Sequence, residues 1–253
     1  MATIPYLSHL RADGQALADA ARGALDRRVP PCPDWMVADL VAHTGVVFAH
    51  KARIVRSRSL EPSESRDLRP DGLTGDTLLA WYDAAFGDLL EALETTDPDL
   101  DLWTWDGTNK ASFWPRRMAL EAAIHRWDAE VSVGAPRPID AELAADGVDE
   151  MLLVFFPKER DRPDLEPEEL YAGPRGIIQL AETDGGRSWS VDLRSDLPAA
   201  TRGAPATADA AVRASAADLF LFVWRRVGLD AVETSGDEAL LAAFYDWLGV
   251  IGQ

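Results

Sequence analysis

The spacing of apolar residues divides the chain into a helical first half and a mixed second half. Before about residue 157, apolar positions recur at steps of three and four, which is typical of amphipathic helices. We predict helices over residues 4–28, 35–56, 74–95, 113–130 and 140–156. Together these segments indicate a four-helix bundle with one additional helix.

The pattern changes after residue 157. The segment KERDRPDLEPEELYAGPRG is charged and rich in proline, and it predicts a linker or a surface excursion. Beyond it, IIQLAE and SWSVDL flank the turn signal TDGGR and predict an antiparallel hairpin. A weaker strand and two helices follow. We therefore predict an α+β protein with a helical bundle at 1–157 and a small α+β domain at 158–253.

The composition of the chain excludes some classes of binding partner. The chain has 43 acidic and 25 basic residues and a formal net charge of −18, so it should repel the phosphate backbone of nucleic acids. Cys32 is the single cysteine, which rules out an intrachain disulfide. We find neither a secretory signal nor an apolar run long enough to span a membrane. These features predict a cytoplasmic protein with no nucleic-acid or membrane partner.

Candidate chemistry lies on the helix FWPRRMALEAAIHRWDAE, residues 113–130. Glu121 and His125 are four residues apart and therefore share one helix face, with Cβ atoms roughly 5–6 Å apart. His43 lies on the second predicted helix and points at least partly toward the core. A histidine from one helix and a Glu-x-x-x-His pair from another suit a divalent-metal site inside a bundle, with one coordination position left open.

Each of these residues also has an ordinary structural role. A Glu-x-x-x-His pair is common by chance and usually lies exposed on a helix, and a core histidine such as His43 is more often simply hydrogen-bonded. Asp128, three residues after His125, suits either the orientation of that histidine or a salt bridge with an arginine. Arg117 suits either an ion pair with Glu121 or a substrate carboxylate.

The segments CPDWMVADLVAHTG and FWPRRMALEAAIHRWDAE resemble the mycothiol-dependent maleylpyruvate isomerase family, part of the DinB-like superfamily of metal-binding helical bundles. The resemblance runs along nearly the whole chain and is most specific at HRWDAE. It implies that His43, Glu121 and His125 bind a divalent metal, typically zinc, and that mycothiol is the cofactor. In the family, this thiol adds to a double bond of maleylpyruvate, rotation follows, and elimination gives fumarylpyruvate.

The second half resembles the family's C-terminal domain, a small α/β unit similar to sterol-carrier folds. The segments ADLFLFVWRRV and VETSGDEALLAAF resemble its closing helix, strand and helix. In the family this domain completes the active-site cleft and contributes an arginine. Arg225 and Arg226 are the catalytic candidates here, and a solvated surface position suits either equally well. Leu120 departs from the family, because many members carry a histidine just before the ligand glutamate.

Three functions fit these residues. The one we favour is a metal-dependent enzyme that activates mycothiol, a small-molecule thiol, for isomerisation of maleylpyruvate-like substrates or for S-transfer to an electrophilic substrate. The second is a metal-binding bundle that acts as a sensor or regulator without catalysis. The third is a carrier whose C-terminal domain encloses an apolar ligand in a deep cavity. Only the first two require that the three predicted ligands meet at one point.

Overall fold

The computed structural model describes residues 4–65, 68–160 and 171–251, and the chain forms two compact units, Met1–Pro138 and Ile139–Gln253. The structure thus divides the chain earlier than the boundary after residue 157 that the sequence predicted. The reason is that the helix Ala141–Glu150, which we had assigned to the bundle, packs against the helix Ala216–Val223 of the C-terminal unit. Residues 161–170 of the predicted linker lie outside the described residues.

The N-terminal unit contains four long helices that bury a common apolar core. Their bounds are α1 Tyr6–Ala21, α2 Val37–Ser57, α3 Gly75–Thr95 and α4 Phe113–Ser132. Helix α1 packs chiefly on α4, and α2 packs chiefly on α3, so the helices form two pairs. Burial of their apolar faces supplies the main driving force for this arrangement. Residues at the centre of the core include Leu10, Leu17, Leu40, Phe48, Tyr82, Leu89 and Leu120.

The segment between α1 and α2 differs from the prediction. The first helix ends at Ala21 instead of continuing to residue 28, and two short strands, β1 (Arg28–Val29) and β2 (Cys32–Met36), pair in antiparallel fashion. The prolines of this segment lack the backbone N–H that a helix requires, and they favour extended backbone. Trp35 consequently lies in β2 and not at the start of a helix.

Helix α2 begins at Val37, and its N-terminus is capped by a residue that the sequence analysis missed. The backbone N–H of Met36 donates to the carboxylate of Asp39 over 2.9 Å. Asp34 precedes the predicted helix 35–56 directly, which is the position that the sequence predicts for the cap. Asp34 is too early in the chain because it belongs to β2.

A glycine sets the approach of α2 to α3. Gly45 is buried beneath the ring of Trp81, and a Cβ atom at this position would lie 2.4 Å from that ring. No real Cβ atom makes so short a contact, so a glycine is required here if the two helices are to keep their spacing. Gly45 is two residues after His43, so the same contact fixes the part of α2 that carries this histidine.

The C-terminal unit combines helices with one mixed sheet. Helix α5 (Ala141–Glu150) continues through a π-helical turn, Met151–Phe155, into a last α-helical turn, Phe156–Arg160. The unit also contains α6 (Ala216–Val223) and α7 (Glu238–Ile251). The sheet has the order β5-β4-β3-β6-β7, and its strands are β3 Ile177–Glu182, β4 Ser188–Asp192, β5 Ala199–Arg202, β6 Ala210–Ala214 and β7 Glu233–Gly236.

The predicted α+β class is confirmed by this unit. Strands β3 and β4 form the antiparallel hairpin that the TDGGR turn predicted, and β6 pairs with β3 in parallel. Ser215 caps α6 as expected, because its side chain accepts from the backbone N–H of Asp218. The sequence analysis missed β5. Among the described residues, no helix combines the length and the apolar character needed to cross a membrane.

Candidate metal centre in the N-terminal unit

The three predicted ligands meet between α2 and α4. His43 comes from the second turn of α2, and Glu121 and His125 come from successive turns of α4. One ligand atom from each residue lies within 4.8 Å of the other two. The Oε1 atom of Glu121 is 3.3 Å from His125 Nε2 and 3.5 Å from His43 Nε2. Two imidazole nitrogens and one carboxylate oxygen are donors that zinc accepts in three-ligand sites.

One side of this cluster is open to solvent. The side chains of His125 and Glu121 are only 8% and 13% exposed, whereas that of His43 is 41% exposed. An open groove of about 580 Å³ begins at His43, and Trp35 and Arg69 also line it. A small molecule therefore has a route to the cluster past His43.

Trp35 packs against both histidines. Its ring centroid is 5.0 Å from that of His43 and 6.3 Å from that of His125, and the two imidazole centroids are 5.1 Å apart. These ring contacts restrict the rotation of both side chains. Trp35 is thus a neighbour of the ligand cluster that was not predicted from the sequence.

Asp128 orients His125. Its carboxylate is fully buried, and Oδ2 lies 3.0 Å from His125 Nδ1. If Nδ1 carries the proton and donates it to Asp128, the lone pair on Nε2 is directed toward Glu121 and His43. A carboxylate in this position also makes the imidazole a stronger ligand. The structure thus shows the first of the two contacts that the sequence allowed for Asp128.

Arg117 pairs with Glu121 one helical turn away. Its guanidinium donates to Oε2 of Glu121, and its side chain is 7% exposed. The other carboxylate oxygen, Oε1, faces the two histidines. Glu121 is therefore held by a buried cation on one side and presents its other oxygen to the two histidines.

Electrostatics keep Glu121 ionised. Burial alone would raise the pKa of this carboxyl, but the charge of Arg117 and the hydrogen bonds from His125 and His43 hold the pKa well below its ordinary value. For His125, burial lowers the pKa, and the contacts with Asp128 and Glu121 outweigh this effect and raise the pKa. Glu121 thus carries its negative charge at the point where the three side chains meet.

Lys51 is a further polar residue of this region that the sequence analysis missed. It is half-buried, and its Nζ lies 5.2 Å from the ring centroid of Trp114 and 3.1 Å from His50 Nδ1. Burial lowers its pKa to about 8. Its spacing of eight residues from His43, two helical turns, places both on the same side of α2 and was a signal available in the sequence.

The two candidate arginines, Arg225 and Arg226, contact residues of the C-terminal unit. The guanidinium of Arg225 lies 4.8 Å above the ring of Tyr245 and 3.8 Å from the carboxylate of Asp246. Arg226 donates to the backbone carbonyl of Trp224 over 2.9 Å. A catalytic role for either arginine stays a prediction.

Two models of one known family match this chain. Residues 7–130 match the mycothiol maleylpyruvate isomerase N-terminal domain, and residues 142–243 match the MDMPI C-terminal domain. The chain belongs to the mycothiol maleylpyruvate isomerase family. The family predicted from the two sequence segments is thereby confirmed.

Solved structures show that this family member shares its fold with known proteins. The crystal structure of the mycothiol-dependent maleylpyruvate isomerase aligns with a TM-score of 0.64 at 16% identity and covers 91% of both chains. A mutant of that enzyme aligns with the same TM-score at 15% identity. Sterol carrier protein 2 like 2 from Aedes aegypti aligns with 42% of this chain, with a TM-score of 0.31 and 20% identity. No curated protein sequence matches significantly.

Proposed function

We propose that this family member is a mycothiol-dependent isomerase of maleylpyruvate-like substrates whose active site is a zinc centre held by His43, Glu121 and His125. The observation that carries the proposal is the convergence of their three ligand atoms within 4.8 Å. The same site would support S-transfer from mycothiol to an electrophile as a second reaction. The family match supports the choice of mycothiol as the thiol.

The donor set fits a catalytic metal ion. Two imidazoles and one carboxylate form a three-ligand site that leaves a coordination position for a further group. Glu121 needs no deprotonation at neutral pH because its pKa is held low. A divalent metal bound here lowers the pKa of a coordinated thiol and so supplies a thiolate at neutral pH.

The surrounding residues hold these donors in place. Asp128, 3.0 Å from Nδ1, would hold the proton of His125 on that atom and leave Nε2 available to a metal ion. Arg117 fixes one oxygen of Glu121 and directs the other toward the histidines. Trp35 packs against one side of the two imidazoles.

Metal stoichiometry tests the proposal first. Elemental analysis of the purified full chain, before and after incubation with zinc, should give about one zinc per chain for the wild type. The His125→Ala variant should lose it. The matched control is His9→Ala, because His9 lies on α1 outside the cluster and its removal should leave the zinc content unchanged.

Thiol and substrate assays follow on the zinc-loaded protein. We expect mycothiol to bind the wild type in a calorimetric titration and the His125→Ala variant to bind it much more weakly. Conversion of maleylpyruvate, followed by its absorbance, would then establish the reaction. Zinc binding without mycothiol binding would favour the sensor or regulatory function. Absence of zinc after loading would remove the basis of the proposal.

A further inference from the structure

Helix α2 carries a half-buried cation that the proposed metal centre does not use. Lys51 places its Nζ over Trp114 and beside His50. Across residues 4–65, 68–160 and 171–251, no carboxylate oxygen lies within 4 Å of this Nζ. Burial without a counter-charge is costly for a charged lysine, and perturbed groups of this kind cluster at functional sites.

Trp114 provides a second, independent observation. Its side chain is completely buried, and within the described parts of the chain its indole Nε1 has no hydrogen-bond partner. Buried tryptophan N–H groups usually donate to an acceptor. Within the described residues, Lys51 therefore lacks an anionic partner and the Trp114 N–H lacks an acceptor, and these two side chains are in contact.

The charges around the proposed metal centre also favour the binding of an anion near Lys51. Arg117 already balances Glu121 through its ion pair, so the charge of Lys51 remains unmatched. Lys51 is nevertheless near enough to the centre for the charges of Glu121 and Arg117 to act on it. A divalent ion at the three ligands would make the region more positive still. In a chain with a net charge of −18, this region would attract a small anion.

We propose that Lys51, seated on Trp114, is the anion subsite of this active site and binds a carboxylate of the electrophilic substrate. The inference rests on the proposed function, since it gives one carboxylate of the proposed maleylpyruvate-like substrate a defined partner. Lys51 is then a specificity-determining residue. A charge-assisted hydrogen bond to the carboxylate would favour an acid over the corresponding neutral amide.

Binding of maleate, a dicarboxylate probe, tests this subsite without requiring turnover. We would titrate maleate and its uncharged diamide into the full-length wild type and into Lys51→Met, Lys51→Arg and Lys110→Met. We expect Lys51→Met to bind maleate at least tenfold more weakly and Lys51→Arg to stay within about threefold of the wild type. The control Lys110 pairs with Asp101 at the surface, so its loss should have no effect.

Two results would overturn the subsite: maleate binding that is equal in the wild type and Lys51→Met, or a wild type that prefers the diamide or binds neither. The zinc content of each sample separates this failure from that of the proposed function. A wild type without zinc contradicts the metal centre, whereas the Lys51 comparison can still be made on the metal-free protein.

Chemical labelling gives a second readout that needs no variant. Lys51, Lys110 and Lys158 are the only lysines of the chain, so mass spectrometry can follow each one after brief acylation. We expect maleate to slow the labelling of Lys51 at least threefold and to leave that of Lys110 unchanged. Equal protection of both lysines, or of neither, would contradict the assignment.

Discussion

His125 Nδ1 lies 3.0 Å from Oδ2 of the fully buried Asp128, three residues further along the same helix. Because both residues belong to α4, this contact forms as soon as the helix does and needs no tertiary partner. The imidazole therefore has a fixed orientation before α2 brings His43 to it. Part of the proposed metal centre is therefore fixed by contacts within one helix.

Replacing Asp128 by asparagine should weaken zinc binding about 10- to 100-fold. The amide lacks the negative charge that raises the basicity of His125, so Nε2 becomes a poorer ligand. Competition with a chromogenic chelator would measure the affinity. Glu130→Gln is the matched control, since Glu130 is a buried carboxylate of the same helix that pairs with Arg126 and Arg137. Unchanged zinc affinity in Asp128→Asn would show that this carboxylate does not tune the ligand.

Replacing Arg117 by methionine should destabilise the metal-free protein by about 3 kcal/mol, because Glu121 would remain buried without its cation. Zinc should reduce this loss, since the ion supplies positive charge to the same carboxylate. Urea unfolding of the variant and the wild type, each with and without zinc, measures both values. An equal loss under both conditions would mean that zinc does not bind at Glu121.

Replacing Lys51 by methionine should stabilise the protein by about 1–3 kcal/mol at neutral pH. Burial lowers the pKa of Lys51 in the folded state to about 8, below its ordinary value of 10.5. Folding therefore disfavours the charged form, and the destabilisation is complete below pH 8 and vanishes above about pH 10.5. Urea unfolding of both proteins at pH 7 and pH 10.5 would test this. If Lys51→Met stabilises the protein as much at pH 10.5 as at pH 7, the cause is packing and not the charge of Lys51.

Replacing Gly45 by alanine should destabilise the protein by about 1–3 kcal/mol, because the new Cβ would collide with the ring of Trp81. The matched substitution is Gly87→Ala on α3, where a Cβ meets nothing within 4 Å. Alanine is the better helix former, so this variant should gain about 0.5–1 kcal/mol. Thermal unfolding distinguishes the two cases. Similar behaviour of both variants would contradict the close packing of α2 on α3.

The sequence predicted the long helices of the N-terminal unit and the ligand cluster well, and the reason is periodicity. An i,i+4 pair such as Glu121 and His125 fixes its own geometry once the segment is helical, and the apolar stripe of α2 places the partly exposed His43 on the side of α2 that faces α4. The hairpin of β3 and β4 was equally predictable, because a strong turn signal separates two alternating segments.

The sequence did not predict the features that depend on contacts between distant parts of the chain. The apolar face of the helix after residue 140 does not specify what it packs against, so the division at Pro138 was missed. Trp35 could not be placed beside the histidines, because that contact depends on the two-stranded turn between α1 and α2. Lys51 was overlooked because its burial results from packing against Trp114 of another helix.

The pairing of helices has a mechanical consequence. His43 belongs to the α2–α3 pair, whereas Glu121 and His125 belong to the α1–α4 pair. An ion shared by these residues would link the two helix pairs, and its release would allow larger local opening at the α2–α4 contact. Hydrogen exchange at the amides of these two helices would then report the metal content of the protein.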